Sequence, residues 1–494
     1  MKKILALFLV ILMISAVMVS CSDKKSKANG SFSGVQDGSA NGDVPDIADD
    51  IVLAPEFNIL VAGNMARNDF EAENDNGTTV ENAIYRRNQL MYDTYGVEIF
   101  NDDITNFNTS NGGGDGYKKI YNNHMAGDSI YDAAMIGTYD VASLALGGYI
   151  HDLNDVENID LTKDYWDQKA NNDLAIGGKM FYTTGDISIV DNIYTHAMLF
   201  NKDLIEAYDL DDPYELVKND EWTLETFGSL VKQVGEDVDQ NGVYDQNDMY
   251  GLLTWNDPML AVLASSGEKI ASINENGEMV LTFYNERVLT LYDTFENIVF
   301  DQSHAYNYQY DNVAGKGTSS AVWDTNRDAI FNSNRAVFYL NAMSVVERHR
   351  DSEVDFGILP YPKLDDNQED YGHNVSAFHS SFLCVPEMVT DYANSGAVLE
   401  LLAYYGKVYL TPAYYDQTLI GKYVRDEESV EMLDIIFSTR VFDVGIYYDI
   451  GTYRSQLTSL FVSRSSISSI YETYRNSAEA KLKTLNNVFA SNNK

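Results

Sequence analysis

The stretch Asp237-Val238-Asp239-Gln240-Asn241-Gly242-Val243-Tyr244-Asp245-Gln246-Asn247-Asp248 places oxygen-bearing side chains at positions 1, 3, 5, 9 and 12, with a glycine at position 6. That is the register of a calcium loop, in which a hard cation gathers oxygens and the glycine permits the sharp turn that points them inward. Asp237, Asp239, Asn241, Asp245 and Asp248 supply side-chain oxygens, and Val243 supplies its backbone carbonyl at position 7. Asp248 stands where glutamate is usual, so the last ligand is shorter. The expectation is a structural Ca2+ site with a helix before the loop and a strand, Tyr250 to Thr254, after it. A solvated acidic turn is the alternative.

Other chemistry is harder to find. The chain has no Gly-x-Ser-x-Gly elbow, no His-Glu-x-x-His helix and no Cys/His metal cluster. Gly315-Lys316-Gly317-Thr318 lacks the spacing of a phosphate loop. With 75 acidic residues, some pair of carboxylates always lies close together, so their abundance is no argument for a glycosidase. The chain is therefore expected not to be an enzyme.

Around these residues lies a recognisable layout. Lys2 and Lys3 precede an apolar run from Ile4 to Val19, and Ser20-Cys21 follow. This reads as a signal peptide over residues 1–20 that ends before a lipidated Cys21. Residues 21–50 then hold Ser, Gly, Asn, Asp and Lys with almost no large apolar side chains, the composition of a flexible tether. Anchoring at the extracytoplasmic face of the cell membrane, by lipid alone, is the expected placement. Loss of Lys2 and Lys3 with the signal takes the net charge from −41 to −43. A surface this acidic repels phosphate backbones, which excludes nucleic acid as a partner. Cys384, inside the apolar run from Phe382 to Val385, is expected to be a buried free thiol. The 35 tyrosines suit a wet surface that stacks on sugar rings, although acidic secreted proteins use tyrosine freely.

The elements that would position a site alternate. Strands are expected at Phe57 to Ala62, Val97 to Phe100 and Tyr131 to Ile136, with helices at Asn82 to Tyr95 and Tyr117 to Ala126 between them. This order implies parallel pairing in an α/β sheet, and from Leu457 the pattern turns helical.

Several segments together resemble the carbohydrate-binding branch of the extracellular solute-binding proteins of ABC importers. They are Tyr131 to Gly137 with Gly148 to Leu153, Gly178 to Tyr182 leading to Phe200-Asn201-Lys202-Asp203-Leu204, and Glu221-Trp222-Thr223 opening a helix. Phe331 to Phe338, followed by Asp355 to Pro362, completes the likeness. The resemblance implies an α/β, two-lobed periplasmic-binding-protein-like clamp with discontinuous lobes and a helical C-terminus. One lobe is expected over 51–190 and 375–410, the other over 191–374 and 411–494. The implied partners are a small-molecule sugar, most simply an oligosaccharide, and an ABC permease complex, with the protein itself monomeric.

Site residues follow from the resemblance one by one. Asn64 stands just past the first strand, Asp140 matches a family aspartate that takes sugar hydroxyls, and Tyr194 falls where the family has a sugar-binding glutamate. Trp255 and Asn256 align with a contact loop. Asn341 and Met343 occupy a loop that elsewhere bears an aromatic ring, and Tyr453 approximates a late aromatic contact. Trp323, after a Gly/Ser-rich stretch, is a further candidate for the cleft, whereas Trp166 and Trp222 read as packing residues. A surface glycan-binding lipoprotein of the SusD-like type and a secreted glycan-active enzyme are the rival classes. A peptide or amine ligand stays open beside a sugar.

Overall fold

The first apolar strand is apolar on both faces: in β1 (Glu56–Gly63) all but the first and third residues are buried. That pattern belongs to a parallel strand covered on both sides. In the computed structural model, which describes residues 44–48, 51–105, 107–309, 327–424 and 426–491, β1 is central. It pairs in parallel with β2 (Glu98–Thr105) and with β3 (Ala133–Gly137). The helices Thr79–Tyr95 and Asp115–Ala126 make the crossovers. Thr78 caps the first with a full capping box: its side chain accepts from Glu81 N–H, and Glu81 accepts from Thr78 N–H at 2.6 Å.

The chain then builds a second sheet. β4 (His196–Asn201), β5 (Gly235–Glu236) and β6 (Met249–Thr254) are followed by a short pair, β7 (Ala271–Ile273) and β8 (Met279–Leu281). β9 (Ala305–Asn307), β10 (Ala336–Ala342) and β11 (Phe356–Leu359) complete it. Its order is β11-β4-β10-β6-β5, with β9 also on β6. β6 is parallel to both β9 and β10, whereas β4 is antiparallel to both its neighbours. After β12 (His373–Asn374) the chain returns to the first sheet as β13 (Ser381–Cys384), antiparallel to β3. β14 (Arg440–Val441) pairs with β12. Single bridges, Thr195 with Val375 and Thr183 with Leu383, tie the outgoing and returning passages together. The chain ends in the helix Ile467–Ser491.

The core is conventional. Trp222 is fully buried and donates to the Pro360 carbonyl at 2.9 Å, and Trp166 donates to buried Glu400 at 3.0 Å. Both are packing residues. Thr223 caps the helix Leu224–Val231, and Cys384 is a buried free thiol whose pKa burial pushes up. One expectation needs correcting: the helix Leu224–Val231 does not lead directly into the aspartate loop. β5 intervenes and pairs antiparallel with β6, so the loop is the long tip of a hairpin. Among the described residues, no helix is long and apolar enough to cross a membrane. Cys21, most of the tether, Trp323 and Gly315 to Thr318 lie outside the described residues.

Candidate functional site

The carboxyl ends of parallel strands collect the polar residues, as open α/β sheets do at their ligand crevices. β1 is followed by Asn64, and Phe107 and Asn108 lie beyond β2. β3 runs into Thr138, Tyr139 and Asp140, the first turn of the helix Thr138–Gly147. In the second sheet, β6 leads to Trp255, Asn256 and Asp257, β9 to Tyr308 and Gln309, and β10 ends at Asn341 and Ala342.

On the first sheet, Asn64 and Asp140 meet through Asn108. Asn108 N–H donates to Asn64 Oδ1 (2.5 Å), and its side-chain amide donates to Asp140 Oδ1 (2.9 Å). Asn64 Nδ2 donates to the carbonyls of Asn108 and Phe378, both at 2.9 Å. Gly114 N–H adds a bond to Asp140 Oδ1 at 3.1 Å, and a Cβ at Gly114 would collide with that carboxylate. Burial raises the Asp140 pKa, against the lowering effect of the Gly114 and Gly112 N–H groups. These two nominated residues line one pocket with Thr138, Tyr139 and Phe378. Their polar atoms are largely spent on holding the loop after β2 against the segment before β13.

A row of rings runs from this pocket to the second sheet. Phe107, 73% exposed, stacks with Phe378 at 6.5 Å, and Phe378 meets His379 edge-on at 4.9 Å. His379 stacks on Tyr194 at 4.9 Å and meets Trp255 edge-on at 6.3 Å. Trp255 in turn lies parallel to His196 and to Tyr308, each at 6.4 Å. Burial drives the pKa of His196 to about 3 and that of His379 to about 4, so both imidazoles are neutral near pH 7. They serve as flat polar rings.

A second, open cavity of about 420 Å³ adjoins β6 and β9, lined by Asn256, Asp257 and Gln309 on one side and Thr458, Ser459 and Ser463 on the other. Asn307 donates to Asn256 Oδ1 (3.2 Å), and Asn256 N–H to Gln309 Oε1 (3.2 Å).

The nominated residues separate into those at the site and those behind it. Asn64, Asp140, Tyr194, Trp255 and Asn256 border the pocket, the ring row or the cavity. Asn341 is buried and donates to the Tyr339 hydroxyl at 2.9 Å, and Met343 is buried with its N–H on the Thr195 carbonyl. Both brace the end of β10. Tyr453 is wholly buried, 4.6 Å from Phe283, with its hydroxyl on the Tyr471 carbonyl. It does not border the pocket; its buried neighbour Arg454 backs that pocket, lying 3.7 Å over the ring of Tyr139, which lines it. Consecutive helical residues point about 100° apart, so a one-place slip in sequence exchanges core for site. Asn108, Phe378, His379 and Arg454 were missed. The only signal for the first three is position: Asn108 follows a strand end, and Phe378 and His379 sit in the passage back to β13. Arg454 lies in the helix Tyr453–Thr458 and is marked only by standing next to Tyr453.

In the aspartate loop, carboxylate oxygens of Asp237, Asp239 and Asp248 lie within 4.8 Å of one another. Asp237 accepts the N–H groups of Asn241 (3.1 Å) and Gly242 (2.8 Å), with Gly242 at φ +79°. Buried Asp248 accepts those of Val238 (2.9 Å) and Asp245 (2.7 Å), and Asn241 accepts that of Val243 (2.7 Å). Among the described residues no Lys or Arg pairs with these carboxylates. Arg335 instead donates to the carbonyls of Gln246 and Asp248.

Solved structures share this architecture. An ABC substrate-binding protein from Listeria monocytogenes, in complex with cycloalternan, superposes with a TM-score of 0.51 at 13% identity, over 88% of this chain and 98% of its own. The GacH receptor of Streptomyces glaucescens, solved unliganded and with acarbose, gives 0.54 at 14%, over 87% and 98%. An extracellular solute-binding protein of family 1 from Alicyclobacillus acidocaldarius gives 0.52 at 9%, over 88% and 100%. The chain has the fold of the ABC-importer solute-binding proteins. No protein-family model and no curated protein matches the sequence. The ring row from Phe107 to Trp255 joins the strand ends of the first sheet to those of the second.

Proposed function

We propose that the protein is a lipid-anchored extracellular solute-binding protein that captures a carbohydrate, in particular an oligosaccharide, and delivers it to an ABC permease complex without chemical turnover. The observation that carries this reading is the row Phe107, Phe378, His379, Tyr194 and Trp255, flanked by amide and carboxyl groups at both ends. Aromatic faces stack on pyranose rings, and fixed amides and carboxylates take hydroxyls. The sugars named with structures of the same fold support it. Cys21 carries the lipid in this reading, and the monomeric body stays on the extracytoplasmic face.

A structural Ca2+ belongs to the same proposal. The three converging carboxylates fit a hard cation, with Asn241, Val243 and Asp245 supplying the remaining oxygens. When bound, the ion would neutralise the loop and fix the β5–β6 tip.

The test is calorimetry and solution scattering on the purified full-length protein with a panel of mono- and oligosaccharides. Binding at 1:1 stoichiometry, with compaction of the protein, is the expected result, since ligand touching both sheets shifts an open–closed equilibrium. Hydrolysis of any glycan in the panel would move the protein to the enzymes.

A further inference from the structure

The buried carboxylates of this protein have partners. Asp69 pairs with Arg67 at 2.7 Å, Arg440 bridges Asp167 (2.6 Å) and Asp191 (3.1 Å), and Asp443 accepts three backbone N–H groups. Glu400 takes Tyr165 and Trp166. Asp257 differs. It is half-buried at the carboxyl end of β6, yet among the described residues its carboxylate has neither a hydrogen bond nor a cation.

Its place in the chain does not account for it. Asp257 precedes the helix Pro258–Ser265, where an aspartate ordinarily turns back to cap the first N–H groups. Here the backbone is already helical (φ −65°, ψ −28°) and the side chain makes no capping bond. It lines the 420 Å³ cavity instead, beside Asn256 and Gln309. Burial, with no neighbouring positive charge to oppose it, pushes its pKa up to about 7. Its charge also adds to the effect of burial in raising the Tyr139 and Tyr361 hydroxyls. A carboxylate flanked by the amide oxygens of Asn256 and Gln309 and the hydroxyls of Thr458, Ser459 and Ser463 is an arrangement that receives an ammonium group, by charge and by hydrogen bonds together. The field of a chain at −41 draws such a ligand in.

We propose that Asp257 is the counter-charge for a ligand ammonium group, so that this site takes an amine-bearing saccharide in preference to its neutral counterpart. The proposal rests on the carbohydrate reading of the site and narrows it.

Calorimetry on the full-length protein tests it. The probes are glucosamine, galactosamine and mannosamine, as monomers and available oligomers, against their N-acetylated and unsubstituted counterparts. A free-amine saccharide should bind at least tenfold more tightly than its N-acetyl and neutral analogues. Asp257→Asn should remove that preference, bringing the affinities for the free-amine saccharide and its neutral counterpart to within threefold of each other. Asp257→Asn should also melt at or above the parent at pH 8 without ligand, because it deletes a carboxylate that has no partner. A neutral sugar bound as well as its amine form, or a preference that survives Asp257→Asn, overturns the proposal and leaves the carbohydrate reading intact. So does an Asp257→Asn protein that melts well below the parent at pH 8, since the carboxylate would then already be paired. A panel in which no saccharide binds overturns the carbohydrate reading itself and this proposal with it.

Discussion

The Arg454 guanidinium lies 3.7 Å over the Tyr139 ring and donates to the Ile446 carbonyl at 3.1 Å and to Asn111 Oδ1 at 3.3 Å. Arg454 therefore clamps the first turn of the helix after β3 to the loop after β2, the two segments that frame Asp140. Arg454→Ala should weaken saccharide binding by about 0.5–2 kcal/mol, the range of a cation–π contact. Arg454→Lys should recover only part of this, because a point charge cannot make the same fork of bonds. Calorimetric affinities of the two variants check it; equal affinity in parent and Arg454→Ala would remove Arg454 from the site.

Trp255 is a less simple probe than its alignment suggests. At 8% exposure, between the His196 and Tyr308 rings, it is also a packing residue. Trp255→Ala should cost binding about 1–3 kcal/mol, a range taken from base–aromatic stacking. It should also cost fold stability about 3–5 kcal/mol through the cavity it leaves. Trp255→Phe keeps a ring in the row and should lose far less of both. Denaturant melts and calorimetry on the same samples separate the two effects.

How much of this was legible in sequence depended on the kind of signal. The parallel order of β1, β2 and β3 was readable because near-continuous apolar runs alternate with amphipathic helices. The convergence of Asp237, Asp239 and Asp248 was readable because all three come from one short segment. The row from Phe107 to Trp255 was not, since its members lie hundreds of residues apart and only the fold brings Phe378 against Phe107. Tyr453 shows the finer limit. The resemblance reached the right helix, but not that Tyr453 is packed into the core against Phe283. Asp257 was passed over because its neighbour Asn256 carried the resemblance, and the lack of a partner for a carboxylate is visible only in three dimensions.

Calcium should raise the melting temperature and a chelator should lower it, without unfolding the protein at room temperature. A ligand that binds only the native state adds about 2.7 kcal/mol at a hundred times its Kd. Asp239→Ala should abolish the calcium response and leave sugar affinity unchanged, because the β5–β6 tip is not among the residues bordering the cleft. Identical melts of the parent with calcium and with chelator would show that the loop is only an acidic turn.

Cys21→Ser should release the protein from membranes into the soluble fraction, since a single residue is proposed to carry the lipid. Membrane fractionation after a salt wash reads the outcome. Retention of the Cys21→Ser protein would mean that something else holds it there.

Asp186 gives the pH dependence. It stands in the passage between the two sheets and accepts the Thr411 hydroxyl at 2.5 Å. Burial pushes its pKa up to about 7, against the opposing pull of Thr411 and Lys407. A carboxyl whose folded pKa lies above its unfolded value near 3.8 stabilises the fold fully only below that lower value. The stability is then lost progressively as pH rises through the folded pKa. At about 1.4 kcal/mol per unit, the loss between pH 4 and pH 8 is bounded on the order of 4 kcal/mol. Asp191 and Asp257 titrate in the same window, so the difference between variants is the clean readout. Asp186→Asn keeps an acceptor for Thr411 and removes the charge. Its stability should gain on the parent's progressively from about pH 4, level off above about pH 7 and exceed the parent's at pH 8. Parallel pH profiles in denaturant melts of the two proteins would contradict a raised Asp186, and a variant weaker than the parent at pH 8 would show that the ionised carboxylate is stabilised where it stands.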